Sequence, residues 1–180
     1  GLMDNIDKEG GNVYSILGMI SHINDFPQDL KGKKIAVIGG GAVGLDVVEF
    51  FATRKADISI VEMMDQIGRD LDPVTKNDMK CQMKAHGVHQ LTKTALLEVK
   101  EHSFLVKRSE GAYELPFDYG FVCLGMRAKG QLYPQLLDAF ADDDVEILNV
   151  GDSQRARRII DGTMEGRNIL YHLSQKGYLD

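Results

Sequence analysis

The 180-residue sequence has little that would bind a metal or cross a membrane. It has no tryptophan and only two cysteines, Cys81 and Cys123, which form neither a CxxC motif nor a spacing typical of metal ligands. We therefore expect buried thiols rather than a disulfide or a metal centre. No run approaches about 18 uninterrupted apolar residues, and the N-terminus lacks a basic region followed by an apolar stretch. These absences predict a cytoplasmic protein with no membrane partner.

An excess of basic residues is also missing. The sequence has 27 acidic residues against 21 lysines and arginines, a net charge of −6 and a pI near 5.4. This balance argues against a surface that binds nucleic acid. With 43% hydrophobic residues, the chain can bury one good core, or one core with a small appendage.

The most informative segment is Lys33 to Phe51, KKIAVIGGGAVGLDVVEFF. A run of β-formers reaches a glycine-rich turn and continues as an apolar helix that we expect to end near Arg54. The turn consists of Gly39, Gly40, Gly41, Ala42, Val43 and Gly44. In the dinucleotide-binding fingerprint, the first glycine permits the tight turn, the second lets a pyrophosphate approach the backbone, and the third lets the helix pack on the strand. The anion is expected at the helix N-terminus.

The context of this fingerprint favours a dinucleotide site over an ordinary glycine-rich turn with a surface glutamate. Asp57 to Met63 is a second β-rich run, and Glu62 lies at its end. Glu62 follows Gly39 by 23 positions, close to the roughly 20 expected for the acid that accepts hydrogen bonds from the adenosine ribose. Strand, turn, helix, strand and acid therefore occur in the order that such a site requires.

The remaining sequence predicts an α/β, Rossmann-like fold with three layers. Asp72 and Pro73 begin a helix that should end near His86, and Val88 to Leu91 predicts a short third parallel strand. Alternating apolar and polar residues from Thr94 to Phe117 are typical of an antiparallel meander. We expect helices on one face of a parallel sheet and this meander on the other. Further predicted elements are a strand at 118–124, a helix at 131–140, a strand at 145–150 and a helix at 153–171.

These residues resemble a known family. The chain is similar to the NAD domain of the two-dinucleotide-binding flavoproteins, the glutathione-reductase-like group. Within that group it looks closest to the C-terminal half of NADH:flavin oxidoreductases of the 2,4-dienoyl-CoA reductase and enoate reductase type. The resemblance rests on the fingerprint, on IVEMMDQIGRDLD and CLGMR, and on GDSQRARRIIDGTMEGRNIL.

The resemblance implies how the chain is organised. In that family the NAD domain is inserted within an FAD domain, and an N-terminal barrel carries FMN and an iron–sulfur cluster. This sequence has one fingerprint where the whole enzyme has two. We therefore expect an FAD-domain remnant or linker at 1–32, an NAD(H)-binding domain at 33–128, a return segment at 129–150 that completes the sheet, and a C-terminal FAD-domain remnant at 151–180. The remnants should be short and poorly anchored.

The resemblance also implies roles for residues beyond the fingerprint and Glu62. Gly125 would lie near the nicotinamide, or it is only a glycine that ends a strand. Met63 would flank the adenine. Asp152 would contact the FAD of the parent enzyme, or it caps a helix. Asp46 stands where the family carries a glutamate near the nicotinamide, and for the isolated chain we expect a first-turn acid that the helix dipole stabilises. Lys55 stands where glycine commonly ends the helix, so we expect a different helix end.

The function that follows is NAD(H) binding, with the nicotinamide positioned for hydride transfer to a flavin elsewhere in the parent enzyme. The flavin domain of the same polypeptide would be the partner, and the isolated chain should be inactive. Two alternatives stay open: an FAD-binding Rossmann domain, and a non-enzymatic module that senses a nucleotide or supports assembly.

Overall fold

The computed structural model of the chain describes residues 3–178. Residues 1–2 and 179–180, the outer ends of the two flanking segments predicted from the sequence, lie outside the described residues. The chain divides into two compact units, with the boundary between Gly125 and Met126. The first unit contains the fingerprint.

A parallel sheet of five strands organises the first unit. Its strands are β1 (Val13–Ser15), β2 (Lys34–Ile38), β3 (Asp57–Val61), β4 (His89–Leu91) and β8 (Tyr119–Val122). Their order across the sheet is β1-β8-β2-β3-β4. Its helices are α1 (Ile16–Ser21), α2 (Ala42–Ala52) and α3 (Pro73–Ala85). A separate antiparallel sheet contains β5 (Ala95–Val99), β6 (Ser103–Arg108) and β7 (Gly111–Pro116). The predicted α/β class, with a parallel sheet and a meander, is confirmed.

The parallel sheet is buried on both faces. Because successive side chains of a strand point to opposite sides, each central strand contributes to two separate core clusters. In β2, Ile35 and Val37 belong to one core cluster with Phe51 of α2. Ala36 and Ile38 belong to a second cluster with Phe104 of β6. Helices therefore cover one face and the meander covers the other, as the sequence predicted.

The predicted start and end of α3 are both confirmed. Asp72 is the N-cap, and its side chain accepts hydrogen bonds from the backbone N–H groups of Val74 and Thr75 at 3.0 and 3.1 Å. Pro73 occupies the first helical position, and Gly87 adopts a positive φ of 65° just after the helix.

The N-terminal segment differs from the expectation that it would be poorly anchored. Val13 to Ser15 form an edge strand that pairs in parallel with Gly120 to Val122 of β8. Met19, Phe26 and Leu30 are buried in the core cluster on the helical face. Aromatic packing accounts for this anchoring, since the Phe26 ring lies within 5.2 to 6.4 Å of five other aromatic rings.

Helix α2 is followed by the left-handed turn that glycine usually forms, although the residue in that conformation is a lysine. Helix α2 ends at Ala52, and Lys55 takes the left-handed conformation with a φ of 61°. Its N–H donates to the Ala52 carbonyl at 3.1 Å. The expectation that lysine would change the helix end is therefore wrong. The backbone keeps the left-handed turn and tolerates a Cβ there, at a cost in conformational energy.

The second unit is mainly helical, with α4 (Leu132–Ala139), a short 3-10 turn (Gly151–Ser153) and α5 (Ile159–Gln175). Two expectations fail here. The apolar pattern at 145–150 predicted a strand, but no strand within residues 3–178 pairs with it, and it runs as an irregular segment. The long helix begins at Ile159 rather than near Ser153. Among the helices of the described chain, none has the length and apolar character needed to span a membrane.

Candidate dinucleotide-binding site

The carboxyl ends of β2, β3 and β8 meet at one edge of the parallel sheet and enclose a cavity of about 520 Å³. Ligands in open α/β sheets bind at this edge. The cavity is lined by residues of the fingerprint, of the β3 end, of the turn before the meander and of the β8 end. They are Ile38, Gly39, Gly41, Ala42, Val43, Val61, Glu62, Met63, Asp70, Thr94, Ala95, Leu96, Cys123, Leu124 and Gly125.

Two of the fingerprint glycines are required by close packing. Gly39 has a φ of 106°, and a Cβ built there would lie 2.2 Å from the carbonyl oxygen of Cys123. A Cβ at Gly44 would lie 1.8 Å from the carbonyl oxygen of Gly39. Real Cβ atoms do not approach oxygen this closely, so a side chain at either position would force the turn, the helix and the β8 end apart.

Gly41 differs from Gly39 and Gly44 because a side chain there would not clash with the protein. It has an extended backbone, with a φ of −79° and a ψ of −176°, and a Cβ there would meet no atom within 4 Å. Its missing side chain therefore leaves open space that belongs to the cavity. Gly41 is also the N-cap of α2, and no side chain within residues 3–178 caps this helix end. The first N–H groups of α2 thus face a space in which an anion can accept their hydrogen bonds.

Glu62 connects the β3 end to the glycine-rich turn. Its Oε2 accepts a hydrogen bond from the Gly40 N–H at 2.7 Å, and its Oε1 accepts one from the Met64 N–H at 2.8 Å. Each carboxylate oxygen can accept more than one hydrogen bond, so the group can also accept from ligand hydroxyls. Both Glu62 and the neighbouring Met63 line the cavity, and the Met63 side chain is 67% exposed.

A second cavity of about 290 Å³ adjoins Glu62 and contains a residue that the sequence reasoning missed. Arg69 lines it together with Gly40, Gly41 and Met64. The loop that carries Arg69 is fixed to the fingerprint, because the Gly68 N–H donates to the Gly40 carbonyl at 2.7 Å. A cation therefore lies beside Glu62, at the end of the site where we expect the adenosine. The only feature of the sequence that pointed to Arg69 was its short distance from Glu62 along the chain.

The β8 end supplies a thiol and a glycine. Gly125 has a φ of 81° and lines the cavity, so it both turns the chain and faces the site. Cys123 is buried, and burial together with the nearby Asp46 carboxylate raises the pKa of its thiol to about 12. This thiol is therefore neutral and unreactive near neutral pH.

Asp46 is not the first-turn acid that we expected. It is the fifth residue of α2, and the first turn contains no acid. Because the dipole effect falls off within the first turn, it does not explain this residue. Partial desolvation raises the pKa of the Asp46 carboxyl, although the residue as a whole is exposed, and the charge of Asp46 contributes to the raised pKa of the Cys123 thiol.

Asp152 belongs to the second unit. It lies in the 3-10 turn, and its Oδ1 accepts a hydrogen bond from the Arg157 N–H at 3.3 Å. The expectation that it caps the long helix is wrong, because α5 begins seven residues later with Arg158 as its N-cap. Arg157 forms an ion pair with Glu165, and Arg158 with Asp161 at 3.5 Å. Arg157 and Arg158 are thus both paired with acids of α5.

The glycine turn, the helix N-terminus and the acid at the end of the neighbouring strand are features typical of a dinucleotide-binding α/β domain. Comparison with known proteins agrees. The chain belongs to the pyridine nucleotide-disulphide oxidoreductase family, whose sequence model matches residues 5–151.

Individual relatives are oxidoreductases. The chain is 30% identical over 142 residues to a bilirubin reductase of Mediterraneibacter gnavus, covering 77% of this chain and 21% of that protein. It is 24% identical over 168 residues to an NADH oxidase of Thermoanaerobacter brockii, covering 93% of this chain and 25% of that protein. The chain thus spans about a quarter of the length of these relatives.

A solved structure shows the same fold at low sequence identity. Histamine dehydrogenase from Rhizobium sp. 4-9 superposes with a TM-score of 0.67 at 14% identity, over 91% of this chain and 27% of that one. The similarity supports the α/β architecture and says nothing by itself about the ligand.

Proposed function

We propose that the chain binds NAD(H) in the cavity at the sheet edge and positions the nicotinamide for hydride transfer to a flavin held elsewhere in the same parent polypeptide. The observation that carries this proposal is the open space at Gly41, where the uncapped N-terminus of α2 faces the cavity beside Glu62. Backbone N–H groups and the positive end of the helix dipole there suit a pyrophosphate.

The residues of the cavity suit the remaining parts of the cofactor. Glu62 has lone pairs left to accept hydrogen bonds from the adenosine ribose hydroxyls. The exposed Met63 beside it offers an apolar surface to the adenine. Gly125 at the other wall leaves room for the nicotinamide, and no side chain there would obstruct the ring. The hydride belongs to the cofactor chemistry, so the contribution of the protein is orientation and binding.

The parent enzyme is proposed on wider grounds. The NADH oxidase of Thermoanaerobacter brockii is similar over 93% of this chain, which favours NADH as the nucleotide. The resemblance to NADH:flavin oxidoreductases adds FAD, FMN and an iron–sulfur cluster to the parent protein, and Asp152 as an FAD ligand in the second unit. No group of three or more metal-binding side chains occurs within the described chain, so a cluster would be held by other parts of the polypeptide.

Cofactor binding tests the proposal. The purified chain is first assayed by absorbance for bound flavin, and it is then titrated with NADH or with FAD in a calorimeter, which detects weak binding at equilibrium. We expect NADH to bind in titrations that reach millimolar ligand, no flavin after purification, and no NADH oxidation unless a flavin acceptor is added. Stoichiometric FAD in the purified protein would assign the fingerprint to FAD instead.

A further inference from the structure

Glu62 has contacts that its expected role as a ribose acceptor does not explain. Both of its carboxylate oxygens already accept backbone hydrogen bonds, from Gly40 at 2.7 Å and from Met64 at 2.8 Å. Hydrogen bonds from backbone N–H groups to a carboxylate are charge-assisted and stronger than neutral ones. The carboxylate is therefore held in place before any ligand arrives.

The backbone of Glu62 is held equally firmly. Its N–H donates to the Leu91 carbonyl at 2.9 Å, and its carbonyl accepts from the Thr94 N–H at 3.0 Å. These bonds join the β3 end to the turn between β4 and β5. The side chain thus projects from a rigid strand end, which limits how far the two bonded N–H groups can move.

The glycine-rich turn is packed against this side chain. A Cβ built at Gly40 would lie 3.0 Å from Oε2 and 3.1 Å from Cβ of Glu62, and 3.1 Å from Cγ1 of the buried Ile67. Gly68 also donates its N–H to the Gly40 carbonyl at 2.7 Å. Gly40 is therefore bonded through both its N–H and its carbonyl to the segment that follows β3.

We propose that Glu62 is a positioning residue for the pyrophosphate site: its carboxylate, by accepting from Gly40 and Met64, holds the glycine-rich turn and the adenosine-side loop at their binding spacing in the free protein. This inference rests on the proposed function, because it assigns Glu62 a second role in the same site. It predicts that removal of the carboxylate weakens binding of ligands that have no ribose hydroxyl for Glu62 to contact.

The test compares Glu62→Ala with the wild-type chain in two measurements. Amide hydrogen exchange in the nucleotide-free protein reports the two backbone bonds directly, and we expect exchange at Gly40 and Met64 to be about tenfold faster or more in the variant. Affinity is measured for NADH and for the NADH analogue whose adenosine ribose lacks both hydroxyls. The variant should bind the analogue at least about threefold more weakly than the wild type does, and NADH more weakly still.

Asp72→Ala is the matched control. Asp72 also accepts two backbone N–H bonds, from Val74 and Thr75, but it caps α3 and does not line either cavity. Its loss should speed exchange at Val74 and Thr75, leave exchange at Gly40 unchanged, and leave analogue affinity unchanged.

Unchanged exchange at Gly40 and Met64 in Glu62→Ala would overturn the proposal. So would an unchanged analogue affinity combined with weaker NADH binding, since Glu62 would then act only on the ribose. If the wild-type chain binds neither nucleotide, the proposed function fails, and the exchange measurement alone decides whether Glu62 positions the turn. If Glu62→Ala does not fold, Gly40→Ala serves instead: its Cβ displaces the carboxylate, and exchange at Met64 should become faster.

Discussion

A single methyl group at Gly41 should separate binding from folding. The structure places no atom within 4 Å of a Cβ at this position, and the extended backbone is available to alanine. Replacing a glycine at a compatible position stabilises a protein by about 0.4–1 kcal/mol through the unfolded state. Alanine is a poorer N-cap than glycine by a similar amount, about 0.5–1 kcal/mol. The two terms offset each other, so Gly41→Ala should change the free energy of unfolding by less than about 1 kcal/mol.

The same methyl group occupies the space in which we place the pyrophosphate. We expect the NADH affinity to fall at least about tenfold, equivalent to about 1.4 kcal/mol. Isothermal titration calorimetry measures the affinity, and urea unfolding measures the stability. Gly166→Ala is a matched control, because this exposed glycine of α5 also has open space around its Cβ position and does not line the cavity.

Gly44→Ala provides the opposite case. Its Cβ would lie 1.8 Å from the Gly39 carbonyl oxygen, so the helix must move away from the turn. Overpacking of this kind typically costs about 1–3 kcal/mol. We expect Gly44→Ala to lose stability as well as binding, whereas Gly41→Ala loses binding alone. Wild-type NADH affinity in a folded Gly41→Ala chain would refute the placement of the pyrophosphate.

Three further predictions concern the first unit. Lys55→Gly should raise the free energy of unfolding by up to about 1 kcal/mol, because glycine adopts the left-handed conformation at residue 55 without strain; a lower unfolding midpoint in urea would contradict this. One thiol, that of the exposed Cys81, should react with a thiol reagent at neutral pH, and two should react after unfolding; equal reaction rates for the two native thiols would contradict the burial of Cys123. Because burial raises the folded pKa of Cys123 to about 12, the free energy of unfolding should fall as pH rises above about 8.5. NADH should bind more tightly than NADPH because a 2′-phosphate would meet the Glu62 carboxylate, and Arg69→Ala should widen the difference; calorimetry that gives equal dissociation constants in the wild type would count against the argument.

The local patterns of the sequence predicted most of the first unit. Strand β2, the turn and α2 follow from β-formers, glycine spacing and an apolar helix, all within one short segment. The meander follows from its period-two alternation. These features depend on neighbouring residues along the chain, so sequence reasoning can detect them.

Elements that depend on distant partners were either missed or wrongly predicted. The edge strand Val13–Ser15 has three residues, too few for a periodic signal, and it forms only because β8 pairs with it. The segment 145–150 has the apolar residues of a strand, but a strand needs a pairing partner, and the described chain provides none.

The site also contains some residues that the sequence predicted and some contacts that it could not predict. The glycine roles and Glu62 were predicted from spacing. The structure brings Gly39, Gly41 and Glu62 to one cavity with Gly125, whereas Gly40 and Gly44 do not line it. The second set of contacts made by Glu62 could not be predicted, because it depends on how the loop after β3 folds back onto Gly40. Arg69 reaches the adjoining cavity for the same reason.

The central claim is that NADH binds at the sheet edge formed by β2, β3 and β8. Amide chemical-shift mapping by NMR tests it most directly, with NADH titrated into the isotope-labelled chain. We expect large shifts at Gly39 to Gly44, Glu62 and Gly125, and smaller ones elsewhere. Shifts confined to residues 126–178, or tighter binding of FAD at the same fingerprint amides, would contradict it.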